Sequence, residues 1–236
     1  MTAVPHAQLS WPRTFRLINS AYPPIDVFED IAGPADWALL SGAEGKTNPR
    51  MAETIGQLNQ IPPARRVFGM GASYVMSPFT HCSPDNPGRF HDGYFGAYYA
   101  ADSFDTAVAE TVFHTEKFLS ATKEAAGWIA EKRELIGSIN AKLIDIRGAG
   151  FDELLQPASY AASQKFAVAA RDSGAQGIVF PSVRQPGGEC FAAFWPDVMT
   201  IPVQGRHIGY HWNGTRIDYI RELTLDSKGQ VFALDV

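Results

Sequence analysis

The sequence predicts an α+β fold in which helices pack around a mixed, strongly curved sheet, and three observations predict it. Strand-like and helical segments alternate through the middle of the chain. Short strand-like runs then follow one another, the last pair joined by Asn213-Gly214, a dipeptide suited to the positive φ angles of a tight hairpin. The chain has 236 residues, 45% hydrophobic and 12% aromatic, enough to bury one large core.

Residues 1–62 carry much of the proline, including Pro23-Pro24, Pro34, Pro49 and Pro62-Pro63. That density permits only short elements, such as helical pieces over Ile25 to Ile31 and Pro34 to Leu40. The expectation is an N-terminal extension, residues 1–62, packed on a main body of residues 63–236. The elements lengthen from Val67 onward. Gly69-Met70-Gly71-Ala72-Ser73 is a plain turn before a helix-like segment, since no Rossmann-type strand or third glycine accompanies it. Phe95 to Ala101 predicts a strand between Asp92-Gly93 and Asp102-Ser103. Ser103 is suited to cap a helix over Thr106 to Leu119, whose apolar face holds Phe104, Val108, Thr111, Val112, Phe118 and Leu119. Glu110, His114 and Lys117 fall on another stripe, so Glu110 can face a groove.

Ala141 to Ile146 and Gly177 to Phe180 predict strands flanking a helix from about Ala158 to Arg171, which stops at Ser173-Gly174. Glu189 to Phe194, His207 to Trp212 and Thr215 to Ile220 complete the strands. No internal repeat is present.

A net charge of −5 and a pI near 5.7 argue against direct nucleic-acid binding, which needs a basic face. No apolar run approaches the roughly 20 residues of a spanning helix, and the first residues lack a basic segment followed by an apolar one. The expectation is a cytoplasmic protein with no membrane partner. Cys82 and Cys190 have no CxxC neighbour and are expected as free thiols. His81, Cys82, Asp85 and His91 fit an ordinary Pro-rich loop. His207 and His211 share a strand face without a third ligand, so no metal is expected.

Residues 89 to 110 hold the most suggestive chemistry. Arg89 and Tyr99 are ten positions apart, and Tyr99 and Glu110 eleven, across a turn, a strand and a helix. A guanidinium can grip phosphate with a planar fork, an aromatic ring can stack on a base, and a carboxylate can stabilise a developing cation. Singly each residue has an ordinary explanation. Arg89 suits a surface or salt-bridging position, Tyr99 a core or strand-face position with Tyr94 and Tyr98 as competitors for any role, and Glu110 an i,i+4 pair with His114. Phe180-Pro181-Ser182 adds a serine at a strand end before Gly187-Gly188, and no His and Asp stand near it in the manner of a triad.

The pattern Arg89-x9-Tyr99-x10-Glu110, followed by Pro181-Ser182, resembles the RES-domain proteins, named for Arg, Glu and Ser. The phrase Tyr98-Tyr99-Ala100-Ala101-Asp102-Ser103-Phe104 through Glu110-Thr111 is similar to that family's strand-to-helix signature, and the likeness runs from about Arg65 to Asp197. Compact members often carry Asn where this chain has Cys190 and Phe194, so it looks like a longer branch with its own N-terminal extension.

The resemblance implies a fold similar to the ADP-ribosyltransferase toxins and an activity that consumes NAD, as substrate and without a metal. It also implies a bacterial toxin–antitoxin system, with a helix-turn-helix antitoxin as partner and, for some members, a protein target for ADP-ribosylation. Carried onto this chain, Glu110 is the expected catalytic carboxylate at the ribose, Tyr99 the platform for nicotinamide and Arg89 the clamp on pyrophosphate or ribose. His114 and Ser182 are expected to support substrate binding. NAD glycohydrolase, NAD phosphorylase and mono-ADP-ribosyltransferase activities all remain open, and a non-catalytic nucleotide- or protein-binding module is the alternative.

Overall fold

A computed structural model describes residues 4–22, 53–223 and 231–233, together with positions 25, 28, 29, 33, 36 and 37. The helical pieces expected over residues 25–31 and 34–40 fall mainly outside these. One sheet contains β1 (His6–Asn19), β2 (Tyr98–Ala101), β3 (Ile129–Asp145), β4 (Gly177–Pro181), β5 (Glu189–Ala193), β6 (Val203–Trp212), β7 (Ile217–Glu222) and β8 (Val231–Ala233). Their order is β1-β2-β5-β4-β3-β6-β7-β8. The β3–β4 pair is parallel and the remaining pairs are antiparallel, which makes the sheet mixed. Because β1 also pairs with β3, strands β1, β2, β5, β4 and β3 form a closed circuit, joined between β1 and β2 by the single pair Phe15↔Ala101. The strong curvature follows from that closure. Helices α1 (Ala72–Thr80), α2 (Phe104–Thr122) and α3 (Ala161–Asp172) pack around it, so the fold is α+β.

β1 lies within residues 1–62, the stretch expected to pack as an extension, and it runs beside β3 from His6↔Ile144 to Asn19↔Lys132. That strand is part of the sheet itself. Its proline, Pro12, sits at a register shift between Trp11 and Thr14, where an irregular ladder tolerates the missing N–H.

Side chains alternate across the sheet, which gives it two buried faces. Ile178, Phe180, Cys190, Ala192, Tyr210 and Trp212 point into one cluster, together with Phe90, Phe95 and residues of α2 and α3. Tyr98, Val179, Phe191 and Ala193 point into the other, with Leu143, Met199 and α1. Tyr98 and its neighbour Tyr99 therefore belong to opposite faces.

Several expected elements are corrected in extent, among them β6, which begins at Val203 and not His207, and β7, which spans Ile217–Glu222 and not Thr215–Ile220. The strand expected from Phe95 begins at Tyr98, because residues 93–95 bend and Gly96 presses against the Pro78 backbone too closely for any Cβ. The strand expected from Ala141 begins at Ile129. Its first half was hidden by charge. Lys132 and Glu134 are buried there, satisfied by Asn19 Oδ1 at 2.6 Å and by a bidentate Arg206. Helix α2 is capped as expected, with Ser103 Oγ accepting from Thr106 N at 3.2 Å, but it runs from Phe104 to Thr122. Phe118 leaves the expected apolar face and is 65% exposed, since Val108, Thr115 and Leu119 set a stripe from which it stands roughly 80° away at about 100° per residue.

Candidate active site

Where α2 crosses β1 and β2, the sheet leaves a cavity of about 200 Å³. Phe15, Arg16 and Leu17 come to it from β1, Tyr99 from β2, Phe180 and Cys190 from β4 and β5, Glu110, Thr111 and His114 from α2, and Arg89 and Tyr160 from the connecting segments. Four residues singled out from sequence, Arg89, Tyr99, Glu110 and His114, thus meet at one wall. Cys190 and Phe194 separate: Cys190 lines the cavity, whereas Phe194 is buried in the core against Phe95.

Glu110 is held from behind. Its Oε1 accepts from Ser182 Oγ at 2.6 Å and from Val183 N at 3.2 Å, and Oε2 has no hydrogen-bond partner among the described residues. Ser182 therefore reaches the site through Glu110 and is not itself a cavity-lining residue. The same Oγ accepts from Arg184 N at 3.2 Å and Gln185 N at 3.0 Å, folding the loop after β4 around the carboxylate.

Arg89 is 8% exposed. Nη1 donates to the carbonyls of Leu154 and Gln156 at 3.2 and 2.8 Å, and the guanidinium lies 4.5 Å from the centre of the Tyr160 ring. Nε and Nη2 make no hydrogen bond to the described residues, which leaves one edge of the fork for a ligand.

Tyr99 contributes its ring to the wall, while its hydroxyl accepts from Phe90 N at 2.8 Å and so anchors the Arg89 turn to β2. Burial pushes its phenol pKa upward, with Arg89 and Arg16 opposing, so the hydroxyl stays protonated at neutral pH. The two competing tyrosines go elsewhere. Tyr98 is buried on the opposite face beneath Arg16 and Phe191, and Tyr94 is 72% exposed.

His114 stands one turn beyond Glu110 with its ring against Phe113. Loss of hydration lowers its pKa, opposed by the Glu110 charge and assisted by Arg184, Lys117 and Arg89, which keeps the imidazole neutral near pH 7. Arg184 packs flat on Phe113 at 3.4 Å and donates to Pro157 O at 2.9 Å.

Sequence reasoning missed Arg16 and Tyr160. Arg16 Nη1 donates to Tyr99 O at 2.8 Å, while its buried Nε has no hydrogen-bond partner among the described residues. The alternation of Phe15 and Leu17 around Arg16 carried a strand signal that the surrounding prolines obscured. In the Pro-rich loop, His81 bonds Thr80 Oγ1 and Glu53 O, and His91 lies by Tyr99. Among the described residues no group of His, Cys, Asp and Glu is placed to hold a metal ion. His211 pairs with Asp218 at 2.6 Å and stacks on Tyr219. No helix among the described residues is long and apolar enough to cross a membrane.

The uncharacterized protein y4oC of Sinorhizobium fredii is 30% identical over 210 residues, covering 87% of this chain and 85% of the relative. The solved M. tuberculosis MbcT–MbcA toxin–antitoxin complex contains a chain that aligns over 87% of both chains at 13% identity, with a TM-score of 0.45. The family model of the RES domain matches residues 63–213. That match spans more than half of the sequence and most of the residues that wall the cavity, and on it the chain belongs to the RES-domain family.

Proposed function

We propose that this protein is a RES toxin that cleaves the nicotinamide–ribose bond of NAD, with ADP-ribose passing to water, phosphate or a protein acceptor. The observation that carries the reading is the Glu110 carboxylate, fixed through Oε1 by Ser182 and Val183 with Oε2 unpartnered among the described residues, in one cavity with Arg89 and Tyr99.

Departure of neutral nicotinamide builds positive charge on the ribose, as in glycoside cleavage. A carboxylate already oriented beside that sugar stabilises the charge without reorganising at the moment of reaction. Glu110 Oε2 is the oxygen available for this, and it can also accept from a ribose hydroxyl or orient the nucleophile. The Tyr99 ring supplies a flat apolar surface for the leaving base, at about 1–3 kcal/mol by analogy with base stacking. The free edge of Arg89 suits the pyrophosphate, and neutral His114 can donate or accept a hydrogen bond next to Glu110. Ser182 serves by orienting Glu110 and is not the nucleophile.

Family membership supports the toxin reading, and with it a helix-turn-helix antitoxin as partner and the cytoplasm as the place of action. Incubation of the purified protein with NAD labelled in its adenylate half tests the reaction. Free ADP-ribose, ADP-ribose 1″-phosphate or labelled protein would each identify an acceptor. Intact NAD after prolonged incubation at each acceptor condition would reject the proposal.

A further inference from the structure

Arg89 stands on a turn, and a turn alone does not fix a guanidinium. One neighbouring segment supplies what the turn lacks. The Leu154 and Gln156 carbonyls take Nη1, and the Tyr160 ring supports the flat face at 4.5 Å. At the other end of that segment Gln164 Nε2 donates to the Gly88 carbonyl at 3.0 Å, tying α3 to the residue before Arg89.

Tyr160 is itself anchored through its main chain. Its carbonyl accepts from Gln164 N at 2.8 Å and from Ser163 Oγ at 3.0 Å, beginning α3, whereas its hydroxyl makes no hydrogen bond among the described residues. The ring is therefore the part that meets Arg89, and removing it leaves the helix start in place. We infer that Tyr160 is a positioning residue, whose ring together with the two carbonyls fixes the guanidinium plane so that the Nε–Nη2 edge is presented to an anionic group in the cavity. The inference rests on the reading of the cavity as a nucleotide site, and it assigns a function to a residue that makes no use of its own polar atom. A planar cation held by a ring and by carbonyls on one nitrogen keeps a bidentate edge at little cost in rotamer entropy.

The test uses the full chain and two readouts, calorimetric titration with ADP-ribose and steady-state NAD kinetics. Tyr160→Leu is expected to raise the Kd for ADP-ribose and the KM for NAD about tenfold, with kcat within about twofold, the size of a desolvated cation–π contact. Tyr160→Phe is expected to stay within about twofold of wild type, since the ring is retained. In an Arg89→Lys background, where no flat guanidinium remains, Tyr160→Leu should add less than about twofold. Wild-type affinity in Tyr160→Leu, an equal loss in the Arg89→Lys background, or a fall in kcat at unchanged KM would each overturn the assignment. Wild-type protein that binds ADP-ribose but leaves NAD intact contradicts the proposed reaction and leaves the titrations to decide Tyr160. Wild-type protein that does neither overturns both.

Discussion

Replacing Ser182 by Ala removes the 2.6 Å hydrogen bond from the Glu110 carboxylate and the acceptor shared by Arg184 N and Gln185 N. A hydrogen bond to a charged group contributes about 1.5–3 kcal/mol, a rate factor of roughly 10–150 if all of it is expressed in the transition state. Val183 N remains at 3.2 Å, so the carboxylate keeps one of its two anchors. The lower end applies, a fall of about 10–30-fold in kcat/KM. The two released N–H groups lie in a partly exposed loop where water can replace the hydroxyl, so the stability loss should stay near 1 kcal/mol. Nicotinamide release over a range of NAD concentrations measures the first quantity, and urea unfolding the second. With Ser182 acting through its bond to Glu110, the two substitutions should not add, and in a Glu110→Gln background Ser182→Ala should cost less than about threefold. Activity within twofold of wild type, or a full additional loss in the Glu110→Gln background, would refute the positioning of Glu110 by Ser182.

Two further outcomes concern stability. His91 has a buried Nδ1 with no hydrogen-bond partner among the described residues, and burial lowers its pKa from 6.5 to about 4, with Asp92 opposing and Arg16 assisting. Below about pH 6.5 the unfolded chain takes up a proton that the folded chain refuses, so stability falls as pH drops from 6.5 towards 4, by about 2 kcal/mol between pH 7 and pH 5. Urea midpoints for wild type and His91→Gln should diverge in that window, and parallel curves would exclude His91 as the cause. Deleting residues 1–22 removes β1, which pairs along β3 and closes the sheet circuit at Phe15↔Ala101. The remaining chain should give no cooperative melt, and a folded, NAD-active product would show that β1 is dispensable.

The sequence carried the site further than it carried the fold. Arg89, Tyr99 and Glu110 sit on a turn, a strand and the first half of a well-capped helix, so their spacing translated directly into one wall of a cavity. Hairpin β6–β7 was equally legible, because Asn213-Gly214 has one use at that place, and Gly214 takes φ 98° there. What stayed hidden depended on partners distant in the chain. β1 bears a proline and the first half of β3 is charged when read alone, and they become strands through distant partners: Lys132 finds Asn19 of β1, while Glu134 finds Arg206 of β6. Arg16 and Tyr160 were invisible as site residues for the same reason. Nothing within ten residues of either reports that Tyr99 and Arg89 lie beside them. Ser182 was placed near the substrate by its position in the motif, and the fold instead turns its hydroxyl to the back of Glu110.

The central claim is that Glu110 stabilises the charge that forms as the nicotinamide–ribose bond breaks. The most direct measurement is nicotinamide release from NAD by wild-type protein and by Glu110→Gln, a substitution that keeps the shape and removes the charge. Wild type is expected to release nicotinamide, and the variant to lose that activity on the order of 10²–10³-fold or more. Release by the variant at near the wild-type rate would contradict the claim.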